Sequence, residues 1–268
     1  MNPLLPRPRP WAEIAPDAAR AVTGVLTDID DTLTDDGAIV PAALAALQAL
    51  SDAGLPVIAI TGRPMGWSLP FARDWPVDAI VAENGSVALF MEGGELRTEY
   101  SQDEATRARN ARRLQEVAAR VLREVPGATL AQDSAGRVTD IAVDHSEFAH
   151  LGDAQVDAVV RLMREEGMNA TVSSIHVNGW FGEHTKLSGA RWSVRRLLGR
   201  DVDAELAQWA YVGDSTNDQL MFGHFPLSVG VANLRRFAAQ LHTWPAYITH
   251  GERGIGFAEV ARTLLAGR

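Results

Sequence analysis

The stretch VLTDIDDTLTDDG, residues 25–37, sets the reading of the whole chain. An apolar run leads directly into Asp28, Asp30, Asp31 and Asp35. Asp, Thr and Gly are turn formers, so the end of a strand is one sufficient explanation. An ordinary turn, however, has no need of acids at i and i+2 followed by Thr32 at i+4. That spacing points to a cation, a phosphate, or both.

Working outward, VTGVLT (22–27) predicts a strand and PAALAALQALSDA (41–53) a helix. The helix has Pro41 in its first turn, a stripe of Leu44, Leu47 and Leu50, and Gly54 as its stop. LPVIAI (55–60) and DAIVAE (78–83) read as further strands. Apolar strands alternating with helices imply a parallel sheet covered on both faces, an α/β core. The pattern resumes with a helix at 186–199, strands at 209–213, 227–232 and 246–249, and a last helix over FAEVARTLL. The middle differs. A charged helix (101–125) precedes a strand pair in ATLAQD and RVTDIAVD, and a second helix (152–167) precedes NATVS and SIHVNGWF. This is helix-strand-strand twice, an α+β unit inserted in an α/β domain. The expected division is a loose, Pro-rich N-terminal arm over 1–20, a core from 21–88 and 184–268, and the insert at 89–183.

Hydrophobic residues make up 46% of the 268 residues, enough for a packed core, and 22% are charged. A net charge of −9 argues against nucleic acid as partner, although a bound cation can reverse the field in a cleft. With no cysteine, any metal is held by oxygen or imidazole. The Pro-rich start lacks an apolar run of signal length and no later run has membrane-spanning length, so the expectation is a cytoplasmic protein without a membrane partner. Oligomeric state is not legible.

In an open parallel sheet, ligands gather at the carboxyl ends of strands. Here those ends carry Asp28-Ile29-Asp30-Asp31-Thr32, Thr61-Gly62-Arg63-Pro64 and Gly213-Asp214-Ser215-Thr216-Asn217-Asp218, and Lys186 opens the helix after the insert. Singly, each is an ordinary turn, cap or surface lysine. Their joint occurrence in this order resembles the haloacid dehalogenase superfamily of phosphotransferases, over 22–66 and 186–260. ENG at 83–85 and THGERGIGFAEV at 249–260 resemble its subfamily IIB, or Cof-type, branch, which includes sucrose-phosphatase-like enzymes. In that branch Gly commonly follows the motif lysine, whereas Leu187 and Ser188 follow Lys186 and Gly189 comes later.

The resemblance implies a Rossmann-like doubly wound core with an inserted α+β cap, and a Mg²⁺-dependent phosphomonoesterase acting on a small phosphorylated metabolite such as a sugar phosphate. It makes Asp28 the nucleophile that becomes an aspartyl-phosphate, and Asp30 the general acid and base. Mg²⁺ would sit on the Asp28 carboxylate, the Asp30 carbonyl and Asp214, with Asn217 and Asp218 behind it. Lys186 would offset charge, and Thr61 with the Gly62 amide would hold phosphoryl oxygens. Asp31 and Asp35 are expected to shape the loop.

Alternation along SSIHVNGWF puts Ser174, His176, Asn178 and Trp180 on one face, and Ile175 and Val177 on the other. The polar face is expected to meet substrate, with Arg63 and Asn84 reaching the leaving group; the alternative is a solvated sheet face. His184 is read as hinge rather than ligand. Rival functions are a phosphomutase resembling phosphomannomutase and, more distantly, a receiver-like signalling module or a non-catalytic phosphate sensor. A receiver carries its Asp on the third strand, and a sensor has no need of Asp30.

Overall fold

The computed structural model of the protein describes residues 8–266 and residue 268. In chain order its strands and helices are β1 (Arg9–Pro10), α1 (Pro16–Ala21), β2 (Gly24–Thr27), β3 (Thr34–Asp35), β4 (Ala38–Ile39), α2 (Pro41–Asp52), β5 (Val57–Ile60), α3 (Met65–Asp74), β6 (Ala79–Ala82), β7 (Val87–Glu92) and β8 (Glu95–Tyr100). The insert supplies α4 (Glu104–Glu124), β9 (Thr129–Leu130), β10 (Asp140–Asp144), α5 (Asp153–Glu165), β11 (Asn169–Val172) and β12 (His176–Trp180). The chain then returns through α6 (Lys186–Leu198), β13 (Trp209–Gly213), α7 (Gln219–His224), β14 (Leu227–Gly230), β15 (Tyr247–Ile248) and α8 (Arg253–Leu265).

A nine-stranded sheet in the order β1-β15-β14-β13-β2-β5-β6-β7-β8 forms the core. It is parallel from β1 to β6, and β7 and β8 run antiparallel at one edge. The four residues of β2 are buried, as an apolar central strand with helices on both faces requires. On one side α2 and α8 bring Leu47, Leu50, Phe257 and Val260 against Val25 and Val57. On the other, α6 and α7 bring Leu187, Val194 and Phe222 against Leu26, Ile58 and Tyr211. Leu44 points outward; Ala43 and Ala46 complete the inner face of α2 instead. Because β13, β2 and β5 are neighbours, Asp214, Asp28 and Thr61 emerge side by side at one sheet end.

The insert is a separate four-stranded antiparallel sheet, β11-β12-β10-β9, backed by α4 and α5. Its apolar face, with Val143 and Val177, packs on Leu114, Val121, Val159 and Met163 of the two helices. The expected division needs two changes. Residues 89–100 belong to the core, because β7 and β8 pair with each other and with β6. The expected arm is loose in neither its strand nor its aromatic: β1 pairs with β15, and Trp11 is fully buried with its ring edge-on to Tyr247 at 5.4 Å. Residues 1–7 lie outside the described residues. Trp11→Ala should lower unfolding stability by about 3–5 kcal/mol in denaturant melts, the cost of emptying a buried aromatic site. An unchanged midpoint would mean that this segment does not hold the sheet.

Candidate active site

Two close backbone approaches place the site. Gly85 has a φ of +106°, and a Cβ there would stand 2.1 Å from the Thr185 carbonyl oxygen. A Cβ on Gly189 would in turn lie 2.6 Å from Gly85 Cα. The first turn of α6, which Thr185 caps by accepting from Ser188 N, therefore lies directly on the 83–85 turn. This fixes Lys186, the chain's single lysine, inside the sheet end.

Lys186 Nζ donates to Asp28 Oδ1 at 2.6 Å and to Asp218 Oδ1 at 2.7 Å, with Asn217 Oδ1 at 3.4 Å. Asp218 is fully engaged: Tyr211 donates to the same oxygen, and the amides of Asp214 and Ser215 donate to Oδ2. Asp214 is held at Oδ2 by Asn233 at 3.2 Å, while its Oδ1 is buried without a partner. Burial pushes the Asp28 carboxyl up to about 8 against the opposing pull of Lys186. Burial, then Asp28 and Asp218, drive Asp214 well above the usual carboxylate range. The Lys186 ammonium stays charged: burial works against it, but Asp218 and Asp28 raise its pKa.

One lysine thus faces three buried carboxylates. Carboxylate oxygens of Asp28, Asp214 and Asp218 lie within 4.8 Å of one another. Asp218 has no oxygen to spare, whereas Asp214 Oδ1, beside Asp28, is unpartnered and free to accept a cation. An all-oxygen donor set at a site of excess negative charge fits a hard divalent ion such as Mg²⁺.

The neighbouring loops are tightly built. Asp31 sits at φ +55°, the left-handed region that Asp tolerates, and its carbonyl accepts from Asn233. Arg253 pairs with Asp31 and Asp35, which places both acids in loop architecture. Thr61 is buried, and its Oγ accepts from Arg63 N. Asn84, at φ +56°, donates to Asp140 of the insert at 3.4 Å.

Several residues expected to meet substrate have protein partners in the insert and the core. Arg63 donates to Asp30 Oδ1 through Nε at 2.9 Å, to Asp133 through Nη1 at 3.2 Å and to Glu147 through Nη2 at 2.8 Å. His176 lies 2.9 Å from Glu147, and Asn178 donates to the Gly62 carbonyl and to Asp140, each at 3.2 Å. Trp180 donates to the His184 carbonyl and stacks on that ring, whose pKa burial lowers to about 4. Ile175 does not join Val177 in the apolar face: residues 173–175 turn, closed by Ser173 N to His176 O, and Ile175 faces the cleft. The space between Asp28, Asp30, His176 and Asn178 is about 10 Å³, the scale of one water.

Sequence reasoning missed Asn233, Tyr211, Glu83 and the insert residues Asp133, Arg137, Asp140 and Glu147. Asn233 had a usable signal, since it follows the carboxyl end of a parallel strand. Glu83 accepts from the amides of Met65, Val138 and Thr139, and Arg137 donates to Gly62 O and Asp140. These partners are tens of residues apart and share no motif.

Residues 25–118 match the family model of haloacid dehalogenase-like hydrolases. No curated protein matches the chain in sequence. Among solved structures, the chain resembles the sucrose-phosphatase of Synechocystis at 16% identity, with 91% of this chain and 98% of that one covered and a TM-score of 0.64. A HAD/COF-like protein from Plasmodium vivax aligns at 16% identity over 95% of this chain and 100% of its own, with a TM-score of 0.69. A haloacid dehalogenase-like hydrolase from B. subtilis aligns at 13% identity over 91% and 100%, with a TM-score of 0.66. At such identities the structures speak for the fold, a doubly wound core with an α+β cap. Taken with the family match over residues 25–118 and the ordered strand-end residues, they show that this chain is similar to the haloacid dehalogenase-like hydrolases and shares the capped fold of these structures.

Proposed function

We propose that this hydrolase is a Mg²⁺-dependent phosphatase that cleaves a small phosphorylated metabolite, most simply a sugar phosphate, through a phosphorylated Asp28. The observation that carries the reading is the buried cluster in which Lys186 joins Asp28 to Asp218 while Asp214 Oδ1 has no partner. A phosphate monoester is nearly dianionic, and each charge pair at about 4 Å costs roughly 4 kcal/mol at an effective dielectric near 20. A carboxylate nucleophile therefore needs positive charge beside it. Mg²⁺ held by Asp28, the Asp30 carbonyl and Asp214 would supply charge neutralisation at the phosphoryl oxygens.

The chain's own residues do the rest. An Asp28 oxygen bonds to phosphorus as the ester P–O bond breaks, and Asp30 gives its proton to the departing oxygen. Asp30, now a carboxylate, takes a proton from the water that releases phosphate. Lys186 holds Asp28 in place, and Asp218 with Asn217 holds Lys186. Thr61 and the Gly62 amide cradle the phosphoryl oxygens.

Substrate entry requires the cap to lift, since the closed space cannot hold a phosphate. Beside Lys186 and Asn217 a cleft of about 390 Å³ runs between cap and core, lined by Trp180, Thr171, Arg164 and Asn84. Its size and its mix of aromatic and polar groups suit a small hydroxylated leaving group. The test is phosphate release from a panel of phosphorylated metabolites and p-nitrophenyl phosphate, with Mg²⁺ and with chelator. The expected outcome is Mg²⁺-dependent release that chelator abolishes and Ca²⁺ inhibits, because Ca²⁺ adopts looser coordination. Undiminished turnover in chelator would remove the metal from this reading, and no release from any ester would remove the phosphatase.

A further inference from the structure

Arg63 is a core residue buried among three carboxylates, only one of which belongs to the core. Its Nε meets Asp30, and the far end of the guanidinium is held by Asp133 and Glu147 of the cap. The Arg63 Cζ lies over the Trp67 ring, 5.1 Å from its centre. The Glu147 end is built to hold. Asp144, buried at the end of β10, accepts from the amides of Ser146, Glu147, Phe148 and Ala149, so one carboxylate clamps the loop that carries Glu147. His176 then meets the second oxygen of Glu147. Against the cost of burial, His176 and Arg63 hold the Glu147 carboxyl down at about 2, which favours its anion at the Arg63 contact.

The guanidinium is a rigid planar fork, so fixing its far end fixes its near end. With Arg63 Nε donating to Asp30 Oδ1, that oxygen has an acceptor role, and the proton of the acid is confined to Oδ2. Were the cap to lift, Glu147 and Asp133 would leave with it and Arg63 would keep only its core partner, Asp30. We infer that Glu147 is a positioning residue for the general acid: through Arg63 it sets the orientation of the Asp30 carboxyl, and it does so only when the cap is closed. Proton transfer to the leaving group is thereby tied to closure over a bound substrate. This rests on the phosphatase reading above. The balance of the step is unchanged: the ester P–O bond breaks, the Asp28–phosphorus bond forms, and the Asp30 proton passes to the departing oxygen.

The test uses two esters of nearly the same shape. p-Nitrophenol departs readily as its anion, whereas phenol depends more on receiving a proton. Glu147→Gln keeps the size of the side chain and removes its charge. Its kcat/KM for phenyl phosphate should fall about tenfold further than its kcat/KM for p-nitrophenyl phosphate, a fraction of the 10²–10⁴ a full general acid supplies. In an Asp30→Asn background, Glu147→Gln should have no further effect, because its route of action is already gone. Glu147→Asp, which keeps charge but is too short to span Arg63 and His176, should show the same split to a smaller degree and covers the case of poor folding in the first variant. Equal loss on both esters, no loss on either, or a full effect persisting in Asp30→Asn would each overturn the inference. A wild-type protein that hydrolyses neither ester would instead overturn the phosphatase reading itself.

Discussion

Asp28→Asn should reduce phosphate release by at least about 10⁴-fold and abolish the acid-stable trapping of phosphate on the protein, as expected when a covalent nucleophile is removed. The same substitution should make the metal-free protein more stable, and this opposite sign is what separates a catalytic role from a structural one. Burial raises the Asp28 carboxyl to about 8 from an unfolded value near 3.8. The folded state therefore holds that proton more tightly than the unfolded chain. Such a group contributes its full stability below about pH 4, and the contribution drains away as pH rises through about 8. Asn has no proton to lose. In chelator, the stability of Asp28→Asn relative to wild type should accordingly grow between pH 4 and pH 8. A variant that is inactive and also less stable across that range would place Asp28 in the architecture of the loop rather than in the chemistry.

Much of this site is legible in sequence because strand ends are local features. Apolar runs mark β2, β5 and β13, and the residues that follow each run within a few positions are those that meet in space. The division of labour among the acids follows from the same stretch: Asp28 faces Lys186, while Asp31 and Asp35 meet Arg253. Gly189 explains how Lys186 is placed without a glycine directly after it, since the close approach to Gly85 occurs one helical turn later.

What was not legible has two physical origins. β8 lies at the sheet edge with one face in solvent, so Glu95, Arg97 and Glu99 hide its strand character, and only the Gly93-Gly94 turn announces a hairpin. In the N-terminal segment the prolines suggested a loose arm, and the informative residue was Trp11, too large and apolar to be left in water. The second origin is distance along the chain. Arg63 finds Glu147 across 84 positions, and Asn178 finds Gly62 across 116. Alternation along β12 does mark the polar face of the cap; nothing local tells whether that face meets substrate or the core.

Lys186→Met is the second substitution with a large expected effect, and it separates the two sources of positive charge at Asp28. Removing the only ammonium leaves Asp28, Asp214 and Asp218 buried without a protein counter-ion, with Tyr211 still donating to Asp218. Breaking a buried pair by deleting one partner costs about 3–5 kcal/mol, so the metal-free variant should melt well below wild type. Phosphate release should fall by about 10²–10³-fold or more, the scale for losing one preorganised charge contact. Mg²⁺ should nevertheless stabilise this variant more than it stabilises wild type, because the ion no longer shares Asp28 with a lysine and now answers the whole excess of negative charge. Ligand linkage converts that tighter binding into a larger rise in melting temperature at a fixed Mg²⁺ concentration. Asp214→Asn should do the reverse, losing the Mg²⁺-dependent rise while keeping the Lys186–Asp28 contact. Melting curves with and without Mg²⁺ for the three proteins decide the matter. If Lys186→Met gains no more from Mg²⁺ than wild type does, lysine and cation do not compete for Asp28, and the metal must be sought away from the unpartnered oxygen of Asp214.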